Sequence, residues 1–331
     1  MLSVKPVRVI GGGLAGSSAA IASCQEGAHV ELFEKSRFPR HKVCGEYLSP
    51  EIIPILQSLG VWDEFLAANP AVVTRLVLHF GSGEKRSKLR QPAFGLSRYC
   101  LDELLFRSAI RAGARHSPEA PVDDSTIPTV FACGRPNVAE RGNRVFGFKA
   151  HFDGPVDDAI ELFFFKGCYV GVNAVENGVT NVCGLGPEKL LTDCKFDIDS
   201  VVSWCKPLAE RLHPLRRRWK WLGAGPLIFE NRFAAQPVEN QYPAGDALSF
   251  VDPFTGSGML TALVTGRLAG IAAAHRTPVR AYLSDCRSRL ESPFVVASLF
   301  RSLVEKGWAQ RLGTVIPGNL LVRLTRPHRV V

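Results

Sequence analysis

The apolar positions of this 331-residue chain change spacing three times, and each change marks a different kind of element. Near the start, Val7-Arg8-Val9-Ile10 is a short strand-like run. It leads through glycines into a small-residue stretch, Ser17 to Cys24, that predicts a helix. A second strand is expected at His29-Val30-Glu31-Leu32-Phe33. In the middle, Val72 to Phe80, Phe146 to Phe152, Ile160 to Phe165, Cys168 to Ala174 and Val179 to Leu185 have the apolar spacing and turn punctuation of a sheet. Later, Gln241-Tyr242-Pro243 reads as the end of another strand, and Gly256 to Met259 opens an Ala- and Gly-rich helix through Ala274. Residues 277–331 read as helical.

The first strand, turn and helix carry Gly11-Gly12-Gly13-Leu14-Ala15-Gly16, a dinucleotide fingerprint at Gly11, Gly13 and Gly16. Gly11 permits the tight turn, Gly13 lets backbone amides approach a pyrophosphate, and Gly16 lets the helix pack close to the strand. The positive end of the helix then faces the phosphates. The second strand ends on Glu34, placed to accept hydrogen bonds from ribose hydroxyls and to disfavour a ribose phosphate. A glycine-rich turn in some other α/β protein is the competing reading, and the strand, helix and terminal acid weigh against it. More than two hundred residues on, Ala244-Gly245-Asp246 and Pro253-Phe254-Thr255-Gly256-Ser257-Gly258-Met259 read as the second half of the same site. Asp246 there would take a ribityl hydroxyl, and the amides of the new helix would meet the pyrimidine edge of a flavin, where charge collects on reduction.

With these segments in order, the chain resembles the FAD-dependent superfamily of aromatic-ring hydroxylases, geranylgeranyl reductases and flavin halogenases. Two further segments support this. The run from Glu34 and Lys35 through Arg40 to Cys44-Gly45-Glu46 is similar to the basic, Cys-Gly-containing loop of the reductase branch, and Arg98 with Leu101 and Asp102 resembles the family arginine at a helix start. The resemblance covers most of residues 1–275. It implies an α/β fold: a Rossmann-like FAD-binding domain of glutathione-reductase type, an interleaved antiparallel-sheet substrate domain and a helical C-terminus. The FAD domain is expected from residues 1–50, 95–136 and 238–276, and the substrate domain from 51–94 and 137–237. FAD is the implied cofactor and NAD(P)H the transient electron donor.

Composition fits one large enzyme, with 46% hydrophobic and 21% charged residues and no apolar run long enough to span a membrane. The early first strand leaves no room for a secretory signal, and the nine cysteines show no Cys-x-x-Cys pair or Cys/His cluster. A cytoplasmic protein with reduced thiols and no metal is expected. The net charge of +9 comes with no nucleic-acid motif. The basic stretches Arg211 to Lys220 and Arg301 to Arg329 interleave apolar groups, which is compatible with peripheral membrane contact but more often means packing on the protein itself. No obligate protein partner is evident.

Chemistry beyond FAD is read from fewer residues. Cys44 is the candidate proton donor of a reductase, with Arg40 and Lys42 expected to favour its thiolate, although a packing role is the stronger alternative. His151, Phe165, Tyr169 and Phe254 are candidate substrate contacts. Cys133, in Val130 to Pro136, stands where the family has an acid linked to FAD and the pyridine nucleotide. Arg115 to Pro128 is too short for the usual three-stranded meander. The tryptophan motif of reductases is missing from Tyr169 to Asn173, and neither the paired tryptophans nor the catalytic lysine of a halogenase is apparent. The favoured expectation is an NAD(P)H-using monooxygenase acting on an apolar polyketide, aromatic or isoprenoid molecule. A reductase of carbon-carbon double bonds and a flavin-binding protein with degraded catalysis are the alternatives.

Overall fold

The computed structural model describes residues 5–80, 83–122, 124–135, 144–227, 229–231, 236–250 and 256–290. Pro253, Phe254 and the amphipathic stretch beyond residue 290 lie outside them.

One sheet is parallel throughout and has five strands, ordered Gln241–Pro243, Thr129–Phe131, Pro6–Ile10, His29–Phe33 and Arg115–Ser117. Val7, Val9, Val30, Leu32 and Val130 are buried within it. Two helices, Leu14–Gln25 and Gly258–Ala274, lie against each other at unusually short range. A Cβ on Gly266 would stand 2.1 Å from the Ala15 carbonyl oxygen, and one on Gly270 would stand 2.3 Å from that of Ala19. Ser18 Oγ donates to the Leu263 carbonyl at 2.8 Å and Ser23 Oγ to that of Gly270 at 2.9 Å. Small residues all round both helices follow from this contact, because each is covered on nearly every side. Among the described residues between Arg115–Ser117 and Thr129–Phe131 there is no further strand, so the sheet is abbreviated there.

The second sheet has nine strands. Its order is Arg216–Arg217, Val145–Asp153, Val179–Pro187, Cys168–Val175, Ala159–Phe165, Ala71–Phe80, Gly83–Gly95 and Tyr47–Leu48, with Leu222–Leu227 also pairing with Val145–Asp153. All pairs are antiparallel except Ala71–Phe80 with Ala159–Phe165. Alternation along each strand divides two faces. Phe148, Ala150, Phe152, Phe163, Val170, Val172 and Val182 pack on three short helices through Leu191, Val201 and Leu208. Residues of opposite parity, such as Ile160, Leu162, Tyr169, Cys183 and Leu185, face a chamber instead.

The strand Gly83–Gly95 was not expected, since Glu84 to Arg90 is almost all charged. Two helices between the sheets, Ile52–Ser58 and Trp62–Ala67, put Ile52, Ile55, Leu56 and Phe65 into the core of the parallel sheet rather than that of the larger one. From residue 279 a helix runs to 290, the last described position, and no described helix is long and apolar enough to cross a membrane.

Candidate active site

A cavity of about 960 Å³ lies between the carboxyl ends of the parallel strands and the chamber face of the large sheet. That is the upper end of the usual range for small-molecule sites, at the crevice where open α/β sheets bind ligands. Its walls gather most of the residues singled out in the sequence. Gly11, Gly13, Leu14, Ala15, Glu34, Lys35, Arg40, Cys44, Gly45, Arg98, Gly245, Asp246, Gly256, Gly258, Met259 and Tyr169 all line it.

The three fingerprint glycines are glycine for three different reasons. Gly11 has φ +102, and a Cβ there would press within 2.4 Å of the Ala132 carbonyl oxygen. A Cβ on Gly16 would stand 1.6 Å from the Gly11 oxygen, so Gly16 serves helix-to-strand packing and does not line the cavity. Gly13 has ordinary extended angles, φ −74 and ψ −167, and a Cβ there would meet only Lys42 Nζ, at 3.4 Å. Its bareness is therefore turned toward the cavity.

Glu34 is buried at the end of its strand and accepts hydrogen bonds from the backbone N–H of Gly12 at 2.9 Å and of Ser36 at 2.7 Å. Burial alone would raise its pKa. The two amides and Arg40, 3.6 Å away, more than reverse that and hold the carboxyl below its ordinary value.

Ser97 caps the helix Arg98–Arg111 through the Cys100 N–H and so sets Arg98 at its first turn. Arg98 Nε donates to Asp102 Oδ1 at 2.6 Å, and Lys42 Nζ to Asp102 Oδ2 at 2.6 Å. One fully buried carboxylate thus holds two cations on the cavity wall. Burial opposes the charge of Asp102, yet Arg98 and Lys42 keep it ionised and lower its pKa. Across the cavity, the Asp246 carboxyl is open to the chamber but enclosed by protein beyond it. Burial raises its pKa against the pull of Arg98, Arg135 and Lys42.

The Cys44 loop is organised by a residue the sequence reading passed over. Glu46 is fully buried with a left-handed backbone, and its carboxylate pairs with Lys149 and, at 2.7 Å, with His151 Nε2. Lys149 and Asp102 are further residues whose roles were not foreseen. Lys149 sits inside an apolar strand pattern, the one clue that it needed a buried partner.

Several expectations are corrected. His151 does not reach the chamber, because Glu46 takes its ring. Phe165 shares the parity of Phe163, so it packs on the helix side of the sheet. Arg40 and Lys42 do not serve Cys44. Arg40 turns to Ser36 and Glu34, Lys42 to Asp102, and the cation beside the thiol is Arg98. Ser257 is buried but does not line the cavity, and the late helix begins at Gly258. Cys133 stands exposed on the cavity wall where the acid was expected.

Comparison with known proteins agrees with this arrangement. The tryptophan halogenase family model matches residues 6–157. A flavin-dependent brominase, Bmp2, superposes as a triple mutant with a TM-score of 0.78 over 96% of this chain and 93% of its own, at 18% identity. Conditioned medium factor receptor 1 of Dictyostelium discoideum is 31% identical over 322 residues, 82% of this chain, but the chain spans only 63% of that protein's length. Menaquinone reductase of Mycobacterium tuberculosis is 26% identical over 342 residues, covering 88% of this chain and 82% of its own. The chain is thus similar to halogenases over part of its sequence, to a menaquinone reductase over most of it, and to a flavin-dependent brominase in fold.

The residues present fit FAD, the cofactor that the sequence resemblance implies. Gly13 leaves room for a pyrophosphate, and the start of the helix Gly258–Ala274 is equally bare, since a Cβ on Gly258 would meet nothing within 4 Å. Lys42 and Arg98 supply positive charge, Glu34 would take the adenosine ribose, and Asp246 faces the cavity where the ribityl chain would pass. Lys42, Arg98 and Glu34 are each held by their own partners before any ligand enters, which favours binding by limiting what must be ordered.

Proposed function

We propose that this flavoenzyme reduces a carbon-carbon double bond in a long apolar, isoprenoid-type molecule, with electrons drawn from NADH or NADPH. The observation that carries the reading is the make-up of the chamber. Leu76, Leu78, Leu89, Ile160, Leu162, Leu185 and Leu227 form an aliphatic wall, and the Cys44 thiol lines the same cavity with the Arg98 guanidinium beside it. The similarity of the Cys44-Gly45-Glu46 loop to geranylgeranyl reductases supports it. So does the menaquinone reductase, which matches over most of both chains.

When bound, reduced FAD would supply a hydride to one carbon of the double bond. The chain's own part is to provide the matching proton, exclude water and hold the substrate straight. Cys44 Sγ accepts a hydrogen bond from the Glu46 N–H at 3.4 Å and has the Arg98 guanidinium beside it, so the thiol is held in place to pass its proton to the second carbon and to regain one from solvent. The aliphatic side chains desolvate the substrate without fixing a polar group, which suits a chain of repeating units.

Halogenation is the second reading, favoured by the halogenase family model and the brominase likeness. Against it, the only described lysines on the cavity wall are Lys35 and Lys42, and Lys42 is tied to Asp102; no described tryptophan lines the cavity. The monooxygenase expectation gains no support from these relatives and gives way to the other two. A test is anaerobic incubation of the FAD-reduced protein with a polyprenyl quinone in deuterated water. The product should gain two hydrogens across the former carbon-carbon double bond, both as deuterium, because the transferable hydrogen of a reduced flavin and that of the thiol exchange with solvent beforehand. A substrate returned unchanged would defeat the proposal.

A further inference from the structure

Glu46 occupies a left-handed backbone conformation, φ +53, that is usually left to glycine or asparagine, and its carboxylate is completely buried. Three donors converge on it. Lys149 Nζ and the backbone N–H of Arg98, at 2.6 Å, meet Oε1, while the His151 ring meets Oε2 at 2.7 Å. Lys149 also donates to the Lys42 carbonyl at 3.2 Å, and Asn181 Nδ2 donates to the Gly45 carbonyl at 2.8 Å. Four segments remote in sequence therefore meet around one turn: the loop 42–46, the start of the helix at Arg98, and two neighbouring strands of the large sheet.

Such an arrangement is a poor device for overall stability, since a buried pair recovers little beyond its own desolvation. Strain and buried charge concentrated two residues from a cavity-lining thiol point to a local purpose. We infer that Glu46 is a positioning residue: through its ion pair with Lys149 it locks the Cys44–Gly45 turn onto the large sheet and so fixes the Cys44 thiol on the chamber wall. Gly45 itself offers no packing to hold the turn, as a Cβ there would meet nothing within 4 Å. The inference deepens the proposed function and takes its meaning from it, but its test does not depend on turnover.

The FAD-loaded protein is treated with iodoacetamide, and the labelling rate of each thiol is followed by peptide mass spectrometry. Glu46→Gln should raise the rate at Cys44 at least tenfold, while the buried Cys168, Cys205 and Cys286 keep their wild-type rates. Glu46→Gln combined with Lys149→Met breaks the same pair from both sides and should leave Cys44 about as reactive as in the single variant, because the two changes remove one interaction. An unchanged Cys44 rate in the single variant would overturn the inference. So would labelling of the three buried thiols along with Cys44, which would make Glu46 a support of the whole fold, or a double variant whose Cys44 reacts at the wild-type rate. If the labelling pattern holds but no substrate is reduced, the positioning role stands and the reductase reading falls.

Discussion

Replacing Gly13 by alanine isolates the contribution of the cofactor from that of the fold. The backbone at Gly13 is extended, φ −74 and ψ −167, so alanine fits without strain. The added methyl would touch only Lys42 Nζ, at 3.4 Å, a flexible end that can move. Stability of the flavin-free protein should change by less than about 0.5 kcal/mol. Cofactor binding should not be spared, because the methyl occupies the space through which backbone amides reach the pyrophosphate. Loss of one charge-assisted hydrogen bond is worth roughly 1.5–3 kcal/mol, which is about a 10- to 150-fold rise in the FAD dissociation constant. The comparison is Gly16→Ala, whose methyl would fall 1.6 Å from the Gly11 oxygen and must disturb the strand and helix themselves. Both quantities are accessible by flavin fluorescence titration and urea unfolding of the flavin-free protein. Wild-type FAD affinity in Gly13→Ala, or a stability loss as large as that of Gly16→Ala, would refute the reasoning.

Asp102→Asn strands Arg98 and Lys42 beside each other and should cost about 3–5 kcal/mol in urea unfolding, the usual penalty for breaking a buried pair; a loss under about 1 kcal/mol would contradict the shared-carboxylate geometry. Asp102 and Glu46 are both held below their ordinary values of 3.8 and 4.5. Their stabilisation is thus complete above those values and is lost as pH falls through the range beneath them. Unfolding midpoints should drop steeply only below about pH 4.5, less steeply in Glu46→Gln, and an equal slope in that variant would remove Glu46 from the account. Cys44→Ser should leave reduction of the flavin by NADPH unchanged while slowing double-bond reduction about 100-fold, read by stopped-flow and product analysis; full activity would eliminate the thiol as proton donor.

Elements set by local spacing were legible in the sequence. The fingerprint turn, the late Ala-rich helix and the strands from Phe146 to Leu185 needed only periodicity and glycine placement to be read. The strand Gly83–Gly95 was hidden because its outer positions are charged, and a hairpin partner rather than its own pattern makes it a strand. In the site, the residues expected to meet the cofactor mostly line the cavity, and they could be named because family motifs are contiguous. The residues that hold those motifs were missed, since Glu46 with Lys149 and Asp102 with Lys42 are separated by 103 and 60 positions and pair only across the fold. His151 and Phe165 were misplaced for complementary reasons: one has the right parity and a prior partner, the other the wrong parity for the chamber.

The central claim is that electrons stored in this cavity pass directly to an apolar substrate. It is tested most directly by photoreducing the FAD-loaded protein without oxygen, adding a polyprenyl quinone, and watching the flavin absorbance band. Return of the oxidised band in step with formation of the saturated product, with no oxygen present, is the expected result. A flavin that stays reduced until air is admitted, and a substrate that then gains bromine or chlorine from added halide, would contradict the account and select the halogenase reading.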